Sequence, residues 1–180
     1  MPKSSENKAD FLLITGPPGI GKTTVIRRVA QGFKPKGLQG FYTEEIREDG
    51  ERRGFHLVGF DGTTTHVIAH VDFPKSCRIG KYGVDVQAVD DAARLLRADP
   101  GTRVYLVDEI GKMECLSDRF VAAMRTLLSG TTPIVATIGA RGGGFIAEVK
   151  RMPKCELWQL THANRDDLPA QILAWLAERI

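Results

Sequence analysis

The chain has 180 residues, 42% of them hydrophobic and 26% charged, and this composition excludes a disordered or fibrous protein. Its length fits one domain, or one domain with a sizeable insertion, and is enough for a hydrophobic core. The 25 basic and 22 acidic residues leave a net charge of +3, and their interleaving argues against nucleic acid as a partner.

The N-terminal segment, Met1 to Asp10, is polar and lacks the apolar core of a secretion signal. No apolar run in the sequence approaches the roughly 18 residues that a membrane span needs. We therefore expect a cytoplasmic protein without a membrane partner, folded as a single domain over residues 1–180.

Short apolar runs then alternate with segments of helical periodicity, which predicts an α/β domain with a mostly parallel central sheet. The first run, Phe11–Thr15, is typical of a buried parallel strand and precedes a glycine-rich turn. We predict the other parallel strands over residues 104–108, 133–138 and 156–161. The predicted helices cover residues 23–33, 87–98, 117–129, 145–151 and 165–179.

Residues 40–85 have a different pattern, with short strand-like runs over residues 41–47, 55–60 and 65–71. Asp49-Gly50 and Asp61-Gly62 lie between these runs and are strong hairpin-turn signals. This pattern predicts an antiparallel β-meander inserted into the parallel domain. It is too small to bury a core of its own, so we expect it to belong to the same domain.

The most specific motif is the phosphate loop Gly16-Pro17-Pro18-Gly19-Ile20-Gly21-Lys22-Thr23, which Thr24 follows. It satisfies G-x-x-x-x-G-K-[ST] and lies between a predicted strand and a predicted helix, as this chemistry requires. Its glycines allow successive backbone N–H groups to surround an anion, and the helix adds the positive end of its dipole. Lys22 is predicted to contact the β- and γ-phosphates, and the Thr23 hydroxyl to bind Mg²⁺.

Two adjacent acids, Asp108 and Glu109, end the predicted strand over residues 104–108. An acid at this place is the usual second contact of Mg²⁺, commonly through a water molecule, and we assign Asp108 to it. Glu109 is predicted to orient or deprotonate the attacking water. The alternative is that Glu109 only caps the following loop or forms an ion pair there.

Phosphoryl transfer also needs a cation near the transferring group. Lys112 is preferred because it is close to Glu109 in the chain, and Arg47, Arg53 and Arg141 are the other candidates, although any of them can be a solvated surface charge. Thr137, near the end of the third parallel strand, is either a γ-phosphate sensor or a buried threonine that is satisfied by its neighbours.

Residues 161–167 follow the last predicted strand, at the sheet edge where ligands bind in open α/β folds. Asn164 is a candidate for hydrogen bonding to a base, and Arg165 for stacking on one. Asn164 also fits the N-cap of the last helix, with Asp166, Asp167 and Pro169 in the first turn. Because Arg165 stands where guanine-selective GTPases carry lysine, tight guanine selectivity is not expected.

Five segments together resemble the cancer-related nucleoside-triphosphatase family of bacteria, archaea and animals. They are residues 16–24, the run Gly-Phe-Tyr-Thr-Glu-Glu-Ile-Arg over residues 40–47, Arg53-Gly54-Phe55, the run Asp-Glu-Ile-Gly-Lys-Met-Glu over residues 108–114, and Thr161-x-x-Asn164-Arg165.

The resemblance covers nearly the whole chain and implies a three-layer P-loop NTPase fold of RecA-like and kinase-like character. It also implies slow, Mg²⁺-dependent hydrolysis of nucleoside triphosphates to diphosphates, with broad base tolerance. Glu109 gains support as a catalytic residue from this resemblance. Glu44, Arg47 and Glu114 stand at matching positions without an assigned role.

Three functions remain open on the sequence. A hydrolase with water as acceptor is favoured by the paired acids, since a small-molecule kinase needs no group that activates water. A nucleotide or small-metabolite kinase would bind its unidentified acceptor on the meander. A nucleotide-gated switch or a nucleic-acid-associated ATP-binding module would retain the diphosphate tightly, or its hydrolysis would be raised by RNA, DNA or a protein partner.

Overall fold

The computed structural model describes residues 10–33 and 37–180, and within these ranges nine strands form one sheet. The polar segment before Asp10, from which no secretion signal is expected, lies outside the described residues. The strands are β1 (Phe11–Thr15), β2 (Leu38–Glu48), β3 (Glu51–Gly59), β4 (Thr65–His70), β5 (Arg78–Ile79), β6 (Tyr82–Val84), β7 (Val104–Ile110), β8 (Ile134–Ile138) and β9 (Cys155–Gln159). The helices are α1 (Lys22–Gly32), α2 (Val86–Ala92), α3 (Asp118–Leu128), α4 (Gly144–Val149) and α5 (Leu168–Ala177).

The strand order is β5-β6-β4-β3-β2-β7-β8-β1-β9. The five strands β2, β7, β8, β1 and β9, in that spatial order, are parallel to one another. All five residues of β1 and of β8 are buried, which is why these strands are continuous apolar runs in the sequence. The mostly parallel central sheet that the sequence predicts is confirmed.

The antiparallel meander is present, but it continues the main sheet. The first part of β2 pairs with β7, from Leu38 opposite Val104 to Phe41 opposite Val107. From Phe41 onwards, β2 also pairs with β3 in antiparallel orientation, and β4, β6 and β5 follow towards the far edge. The strand β2 therefore belongs to both parts of the sheet.

Helices cover both faces of the parallel strands, which gives the three-layer arrangement. One face packs against α1 and α5 through a cluster that includes Ile14, Val29 and Ile172. The other face packs against α2, α3 and α4 through a larger cluster that includes Leu13, Phe120 and Ile146. Full burial of one such side chain contributes about 1.5–3 kcal/mol to the free energy of folding. The two clusters together therefore hold the ends of the strands in fixed positions.

Two predicted helices differ from the observed ones. The helix predicted over residues 87–98 becomes α2 followed by a 3₁₀ turn over Ala93–Leu96, a common way for a helix to end. The helix predicted from residue 165 begins only at Leu168, and its N-cap is Asp167 instead of Asn164. In the part of the chain that the structure covers, no helix is long and apolar enough to cross a membrane.

Candidate active site

The phosphate loop connects the carboxyl end of β1 to the amino end of α1, as its motif predicts. Gly19 and Gly21 have φ of 78° and 108°, a left-handed conformation that favours glycine. A Cβ atom at Gly16 would lie 3.0 Å from the Leu160 carbonyl oxygen, so glycine there allows close approach to the chain that follows β9. The loop therefore folds tightly at the start of a helix, where backbone N–H groups favour an anion.

The Lys22 side chain lies across the phosphate loop. Its Nζ donates hydrogen bonds to the carbonyl oxygens of Gly16 at 3.1 Å and Pro17 at 3.4 Å. The same nitrogen is 4.0 Å from Glu109 Oε2. The structure thus brings together the predicted phosphate-binding cation and the predicted water-activating acid, although 87 residues separate them in the chain.

The carboxylate of Asp108 is enclosed in the site, with 2% of the residue exposed. Its Oδ2 accepts a hydrogen bond from the Thr23 hydroxyl at 2.6 Å, and its Oδ1 accepts one from the Thr137 hydroxyl at 2.5 Å. Thr43 donates two further bonds to Oδ2, from its backbone N–H and its hydroxyl, each at 3.3 Å. Thr137 is fully buried, so the geometry favours the threonine satisfied by its neighbours over the phosphate sensor.

Glu109 follows Asp108 across a cis peptide bond and remains partly exposed. Burial raises the pKa of Glu109, the charge of Asp108 raises it further, and the nearby Lys22 ammonium lowers it in part. A carboxyl group with a raised pKa is a stronger base than an ordinary one, which suits proton abstraction from water. The next residue, Ile110, is fully buried in the larger core cluster.

Glu114 is a buried acid at the base of the site, with 5% of the residue exposed. Burial raises the pKa of Glu114 to about 8, the charge of Glu109 raises it as well, and backbone hydrogen bonds from Glu114 and Gly111 lower it. A Cβ atom placed on Gly111 would lie 2.7 Å from Glu114 Oε2 and 2.8 Å from Glu109 Oε1. The two carboxyl groups therefore converge on Gly111, which leaves room for both.

The four candidate cations occupy two kinds of environment. Arg47 pairs with Glu45, and Arg53 pairs with Glu48 and Asp72, on the hairpin of β2 and β3. Lys112 and Arg141 are exposed on the loops that follow β7 and β8, and neither forms an ion pair within the described ranges. Lys150 donates to the carbonyl oxygens of Gly139 and Ala140 and so anchors the start of the Arg141 loop. Lys112 and Arg141 are thus the two candidates that have no carboxylate partner among the residues that the structure describes.

An open cavity of about 330 Å³ lies beside the phosphate loop. It is lined by Gly19, Ile20, Gly21, Thr24, Val25, Arg28, Arg165 and Asp166. Arg28 of α1 forms an ion pair with Asp166 at 3.7 Å, which connects the two walls of the cavity. The cavity joins the loop that follows β9 to the first two turns of α1.

Of the two residues predicted to contact a base, only Arg165 lines this cavity. Asn164 instead stabilises the turn before α5: its Oδ1 accepts from the Thr161 N–H, and its Nδ2 donates to the Gln159 carbonyl, both at 2.8 Å. This turn occupies residues 161–167, and for that reason the helix starts later than predicted. Asn164 therefore holds Arg165 in place.

Thr23 and Asp108 supply hard oxygen atoms on one side of the phosphate loop, the donor type that Mg²⁺ prefers. Among the described residues, no group of three or more His, Cys, Asp or Glu side chains is arranged to hold a metal ion. The oxygens present therefore fit a magnesium ion that binds together with the nucleotide.

The chain is similar in sequence to known nucleoside-triphosphatases. A family model described as NTPase matches residues 11–173. The chain is 36% identical over 167 residues to the nucleoside-triphosphatase THEP1 of Thermotoga sp. (strain RQ2), covering 92% of this chain and 94% of that protein. It is also 36% identical over 181 residues to the human cancer-related nucleoside-triphosphatase, covering 92% of this chain and 95% of that one.

Two solved structures share the fold. The crystal structure of THEP1 from the hyperthermophile Aquifex aeolicus matches with a TM-score of 0.79 and 33% identity, over 92% of this chain and 98% of that chain. The solution structure of a human cancer-related nucleoside triphosphatase matches with a TM-score of 0.81 and 34% identity, over 96% and 100%. The chain therefore belongs to the NTPase family, as its resemblance to the cancer-related nucleoside-triphosphatases indicated.

Proposed function

We propose that this protein is an enzyme that hydrolyses nucleoside 5′-triphosphates to the diphosphate and phosphate. The observation that carries the proposal is the distance of 4.0 Å between Lys22 Nζ and Glu109 Oε2 beside the phosphate loop. A phosphate-binding cation and a base with a raised pKa then face the same small volume, where a γ-phosphate and a water molecule meet. The names of the matched relatives support hydrolysis and do not favour the kinase alternative.

Each residue has a defined part in this proposal. The backbone N–H groups of residues 19–24 surround the phosphates, since Pro17 and Pro18 have none to donate, and Lys22 moves from the loop carbonyls to the β- and γ-phosphates. Glu109 orients the attacking water and accepts its proton at a carboxylate oxygen. Thr23 and Asp108 would hold Mg²⁺, which supplies neutralisation of the phosphate charge.

The cavity beside the phosphate loop accounts for broad base tolerance. Its outer wall is the Arg165 side chain and the exposed ion pair between Arg28 and Asp166, and an arginine plane stacks on any base. Buried groups that must be matched by one particular base give strong selectivity, and this exposed wall differs from such a site. We therefore propose that ATP, GTP, CTP and UTP are all substrates.

We expect slow turnover because the cation proposed to contact the γ-phosphate is an exposed side chain. An arginine or lysine that contacts the transition state accelerates phosphoryl transfer by about 10³–10⁵-fold in other NTPases. Here Lys112 is proposed for that role, because it lies three residues after Glu109, but its side chain is exposed. An exposed lysine must lose solvent and become ordered before it can contribute, so its effect is reduced.

The test compares phosphate release from the four triphosphates for the wild type and Glu109→Gln, with Mg²⁺ present. The glutamine has the same size but cannot accept the proton, so we expect turnover to fall by about 10²-fold or more. Binding of a fluorescent nucleotide should stay within about twofold, because the phosphate loop is unchanged. Glu51→Gln, on the exposed tip of the hairpin, is the matched control. Equal turnover in Glu109→Gln and the control would refute the assignment of Glu109.

A further inference from the structure

The segment Tyr42-Thr43-Glu44 is the place where the meander meets the active site. The parallel pairing of β2 with β7 ends at Phe41 opposite Val107. Two residues later, the Thr43 N–H points to the same side of the strand and donates to Asp108 Oδ2 at 3.3 Å instead of to a strand carbonyl. The hydroxyl of Thr43 donates to the same oxygen at 3.3 Å. The Asp108 carboxylate thus accepts the hydrogen bond at the position where the pairing of β2 with β7 would otherwise continue.

Tyr42 and Glu44, the two neighbours of Thr43, both contact Arg27 of α1, the helix that begins with Lys22. Glu44 forms an ion pair with Arg27 at 3.2 Å. The Arg27 guanidinium carbon also lies 5.0 Å from the centre of the Tyr42 ring, and that ring packs against Phe60 at 5.3 Å. Because successive side chains of a strand point to opposite faces, Tyr42 and Glu44 hold β2 against α1 while Thr43 faces Asp108.

The donors around Asp108 divide between its two oxygens. Thr137 donates to Oδ1, whereas Thr43 and Thr23 donate to Oδ2. Thr137 alone would leave the carboxylate able to turn about its terminal bond. Thr43 fixes the second oxygen from the side opposite to β8, so Oδ2 remains directed at the Thr23 hydroxyl, where the cation would bind.

On the basis of the proposed function, we propose that Thr43 is a positioning residue that orients Asp108 for Mg²⁺. The hairpin of β2 and β3 thereby forms part of the support of the metal site. Groups that orient a metal ligand typically change metal affinity or activity by about 10–100-fold when they are removed. Thr43 is expected to act on the magnesium requirement more than on the affinity for the nucleotide itself.

The test measures the Mg²⁺ concentration that gives half-maximal enhancement of the binding of a fluorescent ADP analogue. Thr43→Val removes the hydroxyl and keeps the shape, and we expect it to raise this concentration about tenfold or more. Nucleotide affinity in the presence of EDTA should remain within about twofold of the wild type. Thr43→Ser restores the hydroxyl and should return the magnesium requirement to within about threefold. Thr65→Val, on the exposed start of β4, is the matched control.

A wild-type magnesium requirement in Thr43→Val would overturn the role of Thr43. Thermal unfolding of each variant shows whether it is folded, and if the valine does not pack, Thr43→Ala removes the same hydroxyl and decides the question. The proposed function fails separately, if the wild type releases no phosphate from any triphosphate. The binding titration needs no hydrolysis, and it would still show whether Thr43 supports the magnesium site.

Discussion

Replacement of Glu114 by glutamine tests how a buried carboxyl group beside Glu109 affects the stability of the protein. Burial and the charge of Glu109 raise the pKa of Glu114 from 4.5 to about 8. At neutral pH the group is therefore mostly protonated in the folded chain and ionised in the unfolded chain. Glutamine has nearly the same shape as the protonated acid, and its amide oxygen can accept the hydrogen bonds from the Glu114 and Gly111 N–H groups.

The sign of the pH dependence follows from this difference. Between pH 4.5 and about pH 8 the folded chain binds the proton that the unfolded chain has released. The stabilisation is thus complete below pH 4.5 and is lost as the pH rises towards 8, by about 1.4 kcal/mol for each pH unit. Over the whole window the loss amounts to about 5 kcal/mol, a large share of the roughly 5–15 kcal/mol that stabilises an ordinary domain.

Urea unfolding from pH 5 to pH 8.5 measures this effect in the wild type and in Glu114→Gln. The free energy of unfolding of the wild type should fall with pH much more steeply than that of the variant, and the two curves should diverge up to about pH 8. Glu109, whose raised pKa acts in the same direction, contributes to the slope of both proteins. Glu148→Gln, at a carboxylate paired with Arg125 on the surface, serves as the control. Parallel curves for the wild type and Glu114→Gln would show that Glu114 is ionised in the folded protein.

Two further substitutions test the fold and the cavity. Gly40 has a φ of 112°, and a Cβ atom there would lie 1.9 Å from the Leu106 carbonyl oxygen, so Gly40→Ala should lower the free energy of unfolding in urea by about 3 kcal/mol or more. Gly62→Ala, at a φ of 74° in open space, adds the strain without the clash, and an equal loss there would contradict the reasoning. Arg165→Ala should raise KM for all four triphosphates by about threefold or more with little change in kcat, in steady-state assays against the surface variant Arg78→Ala. An unchanged KM would show that the cavity wall does not contact the base.

The sequence predicted the parallel strands and the phosphate loop because their signals are local. Strands such as β1 and β8 are buried on both faces and are therefore continuous apolar runs. The loop motif specifies its own conformation through the left-handed glycines at positions 19 and 21. From these features follow the α/β class and the edge of the sheet at which we propose that the nucleotide binds.

The features that the sequence did not predict depend on contacts between distant segments. Thr43 lies on a strand with an ordinary hairpin pattern, and only the end of the pairing between β2 and β7 brings it to Asp108. Glu114 has no role that the sequence assigns, and only the fold shows that it is buried. Asn164 matches a helix cap, but its side chain binds the Thr161 and Gln159 backbone instead. The strands β5 and β6 have two and three residues, too few for any periodicity.

The position of β2 explains why a meander is joined to a nucleotide-binding sheet in this protein. Its first residues lie beside β7 inside the parallel core, and its later residues form a hairpin with β3 outside it. The change from one pairing to the other occurs beside Asp108, where Thr43 donates to the carboxylate and Glu44 pairs with Arg27 of α1. The meander is thus joined to the proposed metal site through Thr43 and to the helix that follows the phosphate loop through Glu44.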